Sequence, residues 1–169
     1  MKPKVRPTTS KVTEALFSIL GEDVRDSRFL DLFAGSGAIG LEALESGASL
    51  VVFCEKLGMA ASRIRSMVKE AGFAERAKVF KGDALSILKK LKQEFDIIFI
   101  DPPYDSGLGE KAVFLIAEKN LLAPGGRAVV EHHHKNSPAH PENMELFKQK
   151  SYGETRLSFL RIIREDSKP

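Results

Sequence analysis

With 169 residues, a net charge of +3, 43% hydrophobic and 29% charged residues, the chain has the make-up of one packed globular domain and lacks the apolar poverty that marks disorder. Cys54 is the single cysteine, which excludes an intramolecular disulfide and a paired-cysteine metal site. No apolar run approaches the ~18 residues of a membrane span, and residues 1–11 are polar and basic where a secretion signal needs an apolar segment, so a cytoplasmic protein is expected.

Lys2, Lys4, Arg6 and Lys11 precede the first acid, Glu14, and residues 1–9 read as a basic extension able to meet a polyphosphate backbone. Residues 10–20 place Val12, Ala15, Leu16, Ile19 and Leu20 at the spacing of an amphipathic helix, with Thr9 or Ser10 available as N-cap. Runs rich in β-formers follow at 28–33, 50–55, 78–81, 95–101 and 127–131, separated by helical patterns at 38–46, 58–71, 84–92 and 108–120. Gly47, Gly72 and Pro124-Gly125-Gly126 punctuate them. Strand alternating with helix predicts an α/β domain, a parallel sheet with helices on both faces. Residues 95–100, apolar but for Asp96, read as a central strand buried twice. Beyond Glu131 the rhythm changes: runs at 144–150 and 156–164 lie too close for a helical crossover and are expected to pair antiparallel. Lys148, Lys150, Arg156, Arg161 and Arg164 make this hairpin a second basic zone. His132, His133 and His134 diverge as sequence neighbours and read as a solvated loop, so no metal is expected there. Cys54 and most phenylalanines read as core.

Two motifs carry chemistry. Leu30-Asp31-Leu32-Phe33-Ala34-Gly35-Ser36-Gly37-Ala38-Ile39-Gly40 leads from a strand through a glycine turn into a helix, and Gly35 and Gly37 let the backbone turn tightly and a ligand approach. Together with Glu55, twenty residues after Gly35, this also fits a dinucleotide fingerprint. A pyrophosphate on the helix N-terminus would be repelled by Asp31, whereas a ligand bearing ammonium and sulfonium groups would welcome it. Glu55 can accept from two ribose hydroxyls, and Asp83 from an adenine amine. Phe33, Ala34, Ser36, Lys56 and Ala84 complete the candidate cofactor-binding set. The second motif is Asp101-Pro102-Pro103-Tyr104, after the most apolar strand. The lone pair of an amine on a flat base is delocalised; acceptors on its two hydrogens, Asp101 Oδ and the carbonyl of Pro102 or Pro103, can draw the nitrogen toward a tetrahedral shape. The prolines stiffen the loop, and Tyr104 offers a face for an extruded base to stack upon.

Arg6-Pro7-Thr8 leading into Val12-Thr13-Glu14-Ala15-Leu16-Phe17-Ser18-Ile19-Leu20, with residues 30–44, residues 95–104 and Tyr152-Gly153-Glu154-Thr155, resembles the RsmD family of bacterial 16S rRNA guanine-N2 methyltransferases. The resemblance runs in order through nearly the whole chain. It implies a single Rossmann-like class I methyltransferase domain over residues 1–169, with a mostly parallel seven-stranded sheet and an antiparallel C-terminal hairpin. It implies S-adenosylmethionine as methyl donor, and Asp101, Pro102, Pro103 and Tyr104 as the catalytic segment. The implied substrate is 16S rRNA in the small ribosomal subunit, at guanine 966 in the family, with Lys2, Lys4, Arg6, Thr8 and Tyr104 toward the RNA and the enzyme a monomer. Family members usually carry a basic β-hairpin ahead of Arg6, where this sequence has residues 1–5. They also carry an asparagine in the helix after Glu55, where it has Ile64-Arg65-Ser66-Met67. Because the proline-aromatic motif serves flat amines generally, DNA adenine-N6 and protein glutamine methyltransferases are the alternatives of the same chemistry. A non-catalytic RNA-binding module and a dehydrogenase are the alternatives of other classes.

Overall fold

The computed structural model describes residues 7–164, with side chains from Ser10 onward. Lys2, Lys4, Arg6 and the side chain of Thr8 lie outside the described residues. The first helix, α1 (Pro7–Leu20), starts before the expected residue 10. Proline suits a first helical turn, since its ring presets φ and its missing N–H would have no partner there. Thr9 and Ser10 therefore lie within the helix, and neither is its N-cap. A short 3-10 turn, Gly21–Val24, leads from α1 to the sheet.

The chain then runs β1 (Arg28–Asp31), α2 (Ala38–Glu45), β2 (Leu50–Glu55), α3 (Gly58–Glu70), β3 (Ala77–Lys81), α4 (Ala84–Lys90), β4 (Phe95–Ile100), α5 (Leu108–Glu118), β5 (Leu122–His133), β6 (Met144–Tyr152) and β7 (Thr155–Ile162). The seven strands form one sheet in the order β3-β2-β1-β4-β5-β7-β6. β1 to β5 are mutually parallel, and β7 pairs antiparallel with both β5 and β6, as expected. The pleat sends alternate residues to opposite cores. Phe29, Phe53, Phe99 and Phe159 pack with α1, α2 and α3, while Leu30, Ile98, Ile100 and Val130 pack with α4 and α5. Strand order reverses at β1, which pairs β2 on one side and β4 on the other. A doubly wound sheet opens its ligand crevice at that reversal, beyond the carboxyl ends of the strands.

β5 departs from expectation. It begins at Leu122 and passes through Pro124-Gly125-Gly126, which the sequence marks as punctuation. Phe95 pairs with Leu122 and Ile97 with Arg127, so residues 123–126 bulge opposite the single Asp96. Gly126 has no room for a side chain, since a Cβ there would lie 2.9 Å from the carbonyl oxygen of Ala123 and 3.0 Å from that of Phe95. At its far end β5 continues to His133, so His132 and His133 lie on a strand and not in a solvated loop.

Candidate active site

The glycine turn between β1 and α2 is held by β4 and β2, the two strands that flank β1. Leu32 N donates to Phe99 O (3.1 Å), Ala34 N to Cys54 O (2.9 Å) and Gly37 N to Ala34 O (2.8 Å). Gly35 (φ 56°) and Gly37 (φ 81°) both adopt left-handed backbone, where a Cβ is strained. A Cβ on Gly35 would meet nothing within 4 Å, leaving that side of the turn open; one on Gly37 would strike Ile64 and Met67 at 2.9 Å. Thus Ile64 and Met67, in the segment that departs from the family pattern, seat the turn. Gly40 is required for packing, because a Cβ would lie 2.2 Å from the Phe53 ring.

Asp31 is turned inward, only 1% exposed. Gly37 is the N-cap of α2 and has no capping side chain; in its place Asp31 Oδ2 accepts from Gly40 N at 3.1 Å in the first turn. That contact caps the helix from outside and sets a carboxyl on its positive end. Burial pushes Asp31 up to about 7 against the pull of the Gly40 hydrogen bond, and the charges of Asp101 and Glu55 raise it further. An acid raised in the folded state from its unfolded value of about 3.9 binds its proton more tightly when folded, so stability falls as pH climbs from about 4 toward 7. Asp31→Asn keeps an acceptor for Gly40 without the buried charge. It is expected to melt higher than the parent at pH 8, with the gap closing by pH 5. A variant less stable at pH 8 in a thermal melt would show that the charge itself stabilises the turn.

Glu55 ends β2 and spans two loops, Oε2 accepting from Gly35 N (2.7 Å) and Oε1 from Leu57 N (3.0 Å). Each oxygen retains lone pairs for further donors. Asp83 is the N-cap of α4, its Oδ2 accepting from Ser86 N and Ser86 Oγ at 3.0 Å. Those bonds, with smaller help from Lys56 and Lys89, hold Asp83 below the usual carboxylate range. Ala84, the first residue of α4, is buried in the core, Phe33 packs partly against it, and Ser36 is exposed.

Asp101 follows β4 directly. It remains open to solvent on one side, yet partial desolvation pushes it up to about 6. Pro102 packs under α5, its ring leaving Gly109 room for little beyond hydrogen. Pro103 O accepts from Ser106 N (3.3 Å), whereas Pro102 O makes no hydrogen bond among the described residues. Tyr104 is 74% exposed, and its ring meets that of His133 edge-on with centroids 6.2 Å apart.

Two residues at this edge carried no motif. β4 and β5 pair Ile100 with Val130, which places Glu131 in the next position alongside Asp101. Desolvation pushes Glu131 up to about 7, and the Asp101 charge adds to the rise. His133, two residues on, supplies the ring contact to Tyr104. Asp31, Glu55, Asp101 and Glu131 thus line one edge of the sheet. Among the described residues no group of three or more such side chains is placed to hold a metal ion. His132 serves structure. Its Nδ1 lies 2.8 Å from His133 O, so that nitrogen carries the hydrogen, and Nε2 accepts from the buried Ser158 Oγ at 2.6 Å. Gln149 Nε2 donates to the same hydroxyl (3.0 Å), tying three strands together. In the basic hairpin Arg161 is spent on Glu145 and Arg156 on Ser151, while the side chains of Lys148 and Lys150 are exposed and make no hydrogen bond or ion pair among the described residues.

A family model described as Conserved hypothetical protein 95 matches residues 1–161. The Haemophilus influenzae protein named Ribosomal RNA small subunit methyltransferase D is 36% identical over 152 residues, covering 88% of this chain and 79% of that protein. The chain belongs to this methyltransferase D family. Its Escherichia coli namesake is 35% identical over 156 residues, covering 90% and 77%. A solved Escherichia coli structure, provisionally described as the methyltransferase yhhF, superposes on 95% of this chain and 88% of its own with a TM-score of 0.86 at 31% identity. The seven-stranded sheet with its antiparallel hairpin is a class I methyltransferase fold.

Proposed function

We propose that this member of the methyltransferase D family transfers a methyl group from S-adenosylmethionine to the exocyclic N2 amine of a guanine in 16S rRNA of the small subunit, guanine 966 by family resemblance, as a cytoplasmic monomer. One observation supports the reading: β1 and β4 are neighbours at the reversal of strand order, which brings the glycine turn and Asp101-Pro102-Pro103-Tyr104 side by side at the edge where doubly wound sheets open their ligand crevice.

The residues present fit the donor. The open side of Gly35 admits a ligand, Glu55 has lone pairs left for the ribose hydroxyls, and Asp83 caps the loop where an adenine amine needs an acceptor. Asp31 acts through its field, being too buried to touch a ligand, and favours a cation where it would repel a pyrophosphate. When bound there, S-adenosylmethionine would supply the methyl as an electrophile on its sulfonium sulfur and keep the bonding pair as a neutral thioether. Asp101 and the free carbonyl of Pro102 accept the two amine hydrogens, and Asp101 stabilises the positive charge gained by nitrogen until one proton passes to water. Tyr104 gives the extruded base a surface to stack on.

Calorimetric titration tests the donor: S-adenosylmethionine is expected to bind and NAD not, and the reverse would make the chain a dinucleotide protein. The RNA half is tested by salt. If Lys148, Lys150 and the N-terminal cations contact phosphates, subunit affinity falls steeply with salt while donor affinity hardly moves, and neutralising Lys148 and Lys150 reduces the slope by ~1 to 2. A salt-independent association would show these cations to be merely solvated.

A further inference from the structure

Resting on that reading, one residue at the site remains without a task. Glu131 is half-buried, stands beside Asp101 by strand register, and its side chain makes no hydrogen bond or ion pair among the described residues. Its register partner on the other side is Leu157, packed in the core on the α1 side of the sheet, so the pleat directs Glu131 to the face that Asp31 shares with Phe99. The Tyr104–His133 ring contact sets the stacking surface at the same edge, two residues beyond Glu131. The crevice thus offers two adjacent carboxyls to whatever base rests on Tyr104.

Base chemistry gives that pair a meaning. Adenine and cytosine present an amine beside a ring nitrogen that is only an acceptor, whereas guanine presents its amine beside a ring N–H. Asp101 and the Pro102 carbonyl account for the two amine hydrogens, leaving the ring N–H of guanine without an acceptor. We propose that Glu131 reads the base, its carboxylate accepting the N1–H of guanine beside the amine held by Asp101, so that the two carboxylates together admit guanine and reject adenine. Facing adenine, the ionised Glu131 would set its lone pairs against those of the ring nitrogen, and it could bond to that nitrogen only after taking up a proton, so the discrimination is strongest above about pH 7. A site built to hydrogen-bond an N–H rejects the analogue lacking it far more strongly than a shape-based pocket does, because its buried acceptor is left unpaired. Burial and the neighbouring Asp101 hold Glu131 near the point of protonation, up to about 7, and an N–H donor favours the ionised form that accepts from it.

2-Aminopurine separates this role from general support of the site, since it keeps the amine and lacks the N1–H. Small subunits are reconstituted with 16S rRNA carrying guanine or 2-aminopurine at the methylated position, and single-turnover rates are compared for the parent, Glu131→Ala and Glu131→Gln. The parent is expected to prefer guanine by ~100-fold or more. Glu131→Ala should collapse that ratio to within about tenfold by losing rate on guanine while holding it on 2-aminopurine. Glu131→Gln, nearly isosteric, can turn its N–H toward the bare ring nitrogen and should gain on 2-aminopurine. Equal parental rates on the two bases would overturn the proposal, as would a Glu131→Ala loss that is equal on both, which would make the residue a mere support. S-adenosylmethionine binding by each variant reports an intact fold. Parental methylation of guanine N2 upholds the enzyme reading whatever the ratio; its absence defeats both together.

Discussion

Asp101→Ala is expected to slow single-turnover methyl transfer by ~100-fold or more, the range found when a preorganised group facing developing charge is lost. Asp101 lies one residue past β4 at the reversal of strand order, partly desolvated, and its carboxyl engages no donor among the described residues. It is thus free for the amine and acts most strongly when nitrogen becomes tetrahedral and positive. Asp101→Asn keeps an acceptor without the charge and should lose less. Because Asp101 is pushed up to about 6 and stabilises the developing positive charge only when ionised, the rate should rise with pH through about 6, and Asp101→Asn should lack that limb. A limb persisting below 7 in Asp101→Asn, where the Asp101 charge no longer adds to the rise, belongs to Glu131, the other raised carboxyl of the crevice; Asp31 lies beneath the turn and away from solvent. Normal single-turnover rates in Asp101→Ala would place the chemistry elsewhere.

Glu55→Ala should weaken donor binding by ~1.5–3 kcal/mol, the cost of losing hydrogen bonds to a charged group. The structure adds a reason for the upper part of that range. Glu55 also accepts from Gly35 N and Leu57 N, so alanine both removes the ribose acceptor and releases the glycine turn from β2. Glu55→Gln retains one oxygen for Gly35 and should fall between. The fold should survive, since the core of β2 is Val51, Val52, Phe53 and Cys54. Unchanged donor affinity in a calorimetric titration of folded Glu55→Ala would remove Glu55 from the site.

What the sequence shows of this site is what neighbouring residues can encode. The glycine turn and Asp-Pro-Pro-Tyr are continuous segments whose backbone demands are written in their glycines and prolines. Glu55 and Asp83 are legible because Glu55 ends a run of β-formers and Asp83 follows another by two residues, opening a helical pattern. Glu131 and His133 are not, for their place depends on the pairing of Ile100 with Val130 and on a bulge that carries β5 through Pro124-Gly125-Gly126. Those residues read as an end to structure, yet the strand absorbs them because four residues bulge opposite Asp96. The histidines mislead for a related reason: three in a row suggest a solvated loop, while the hydrogen bond from the buried Ser158 draws His132 into the sheet. At the N-terminus Pro7, a helix breaker elsewhere, opens α1.

Transfer to guanine N2 is tested most directly by the fate of the methyl group. Small subunits from a strain lacking this protein, incubated with the purified chain and S-adenosylmethionine labelled in its methyl, should take up label in 16S rRNA, and hydrolysis with mapping should place it on N2 of one guanine. Label on an adenine, on a ring nitrogen, on protein, or no transfer to the subunit at all would contradict it.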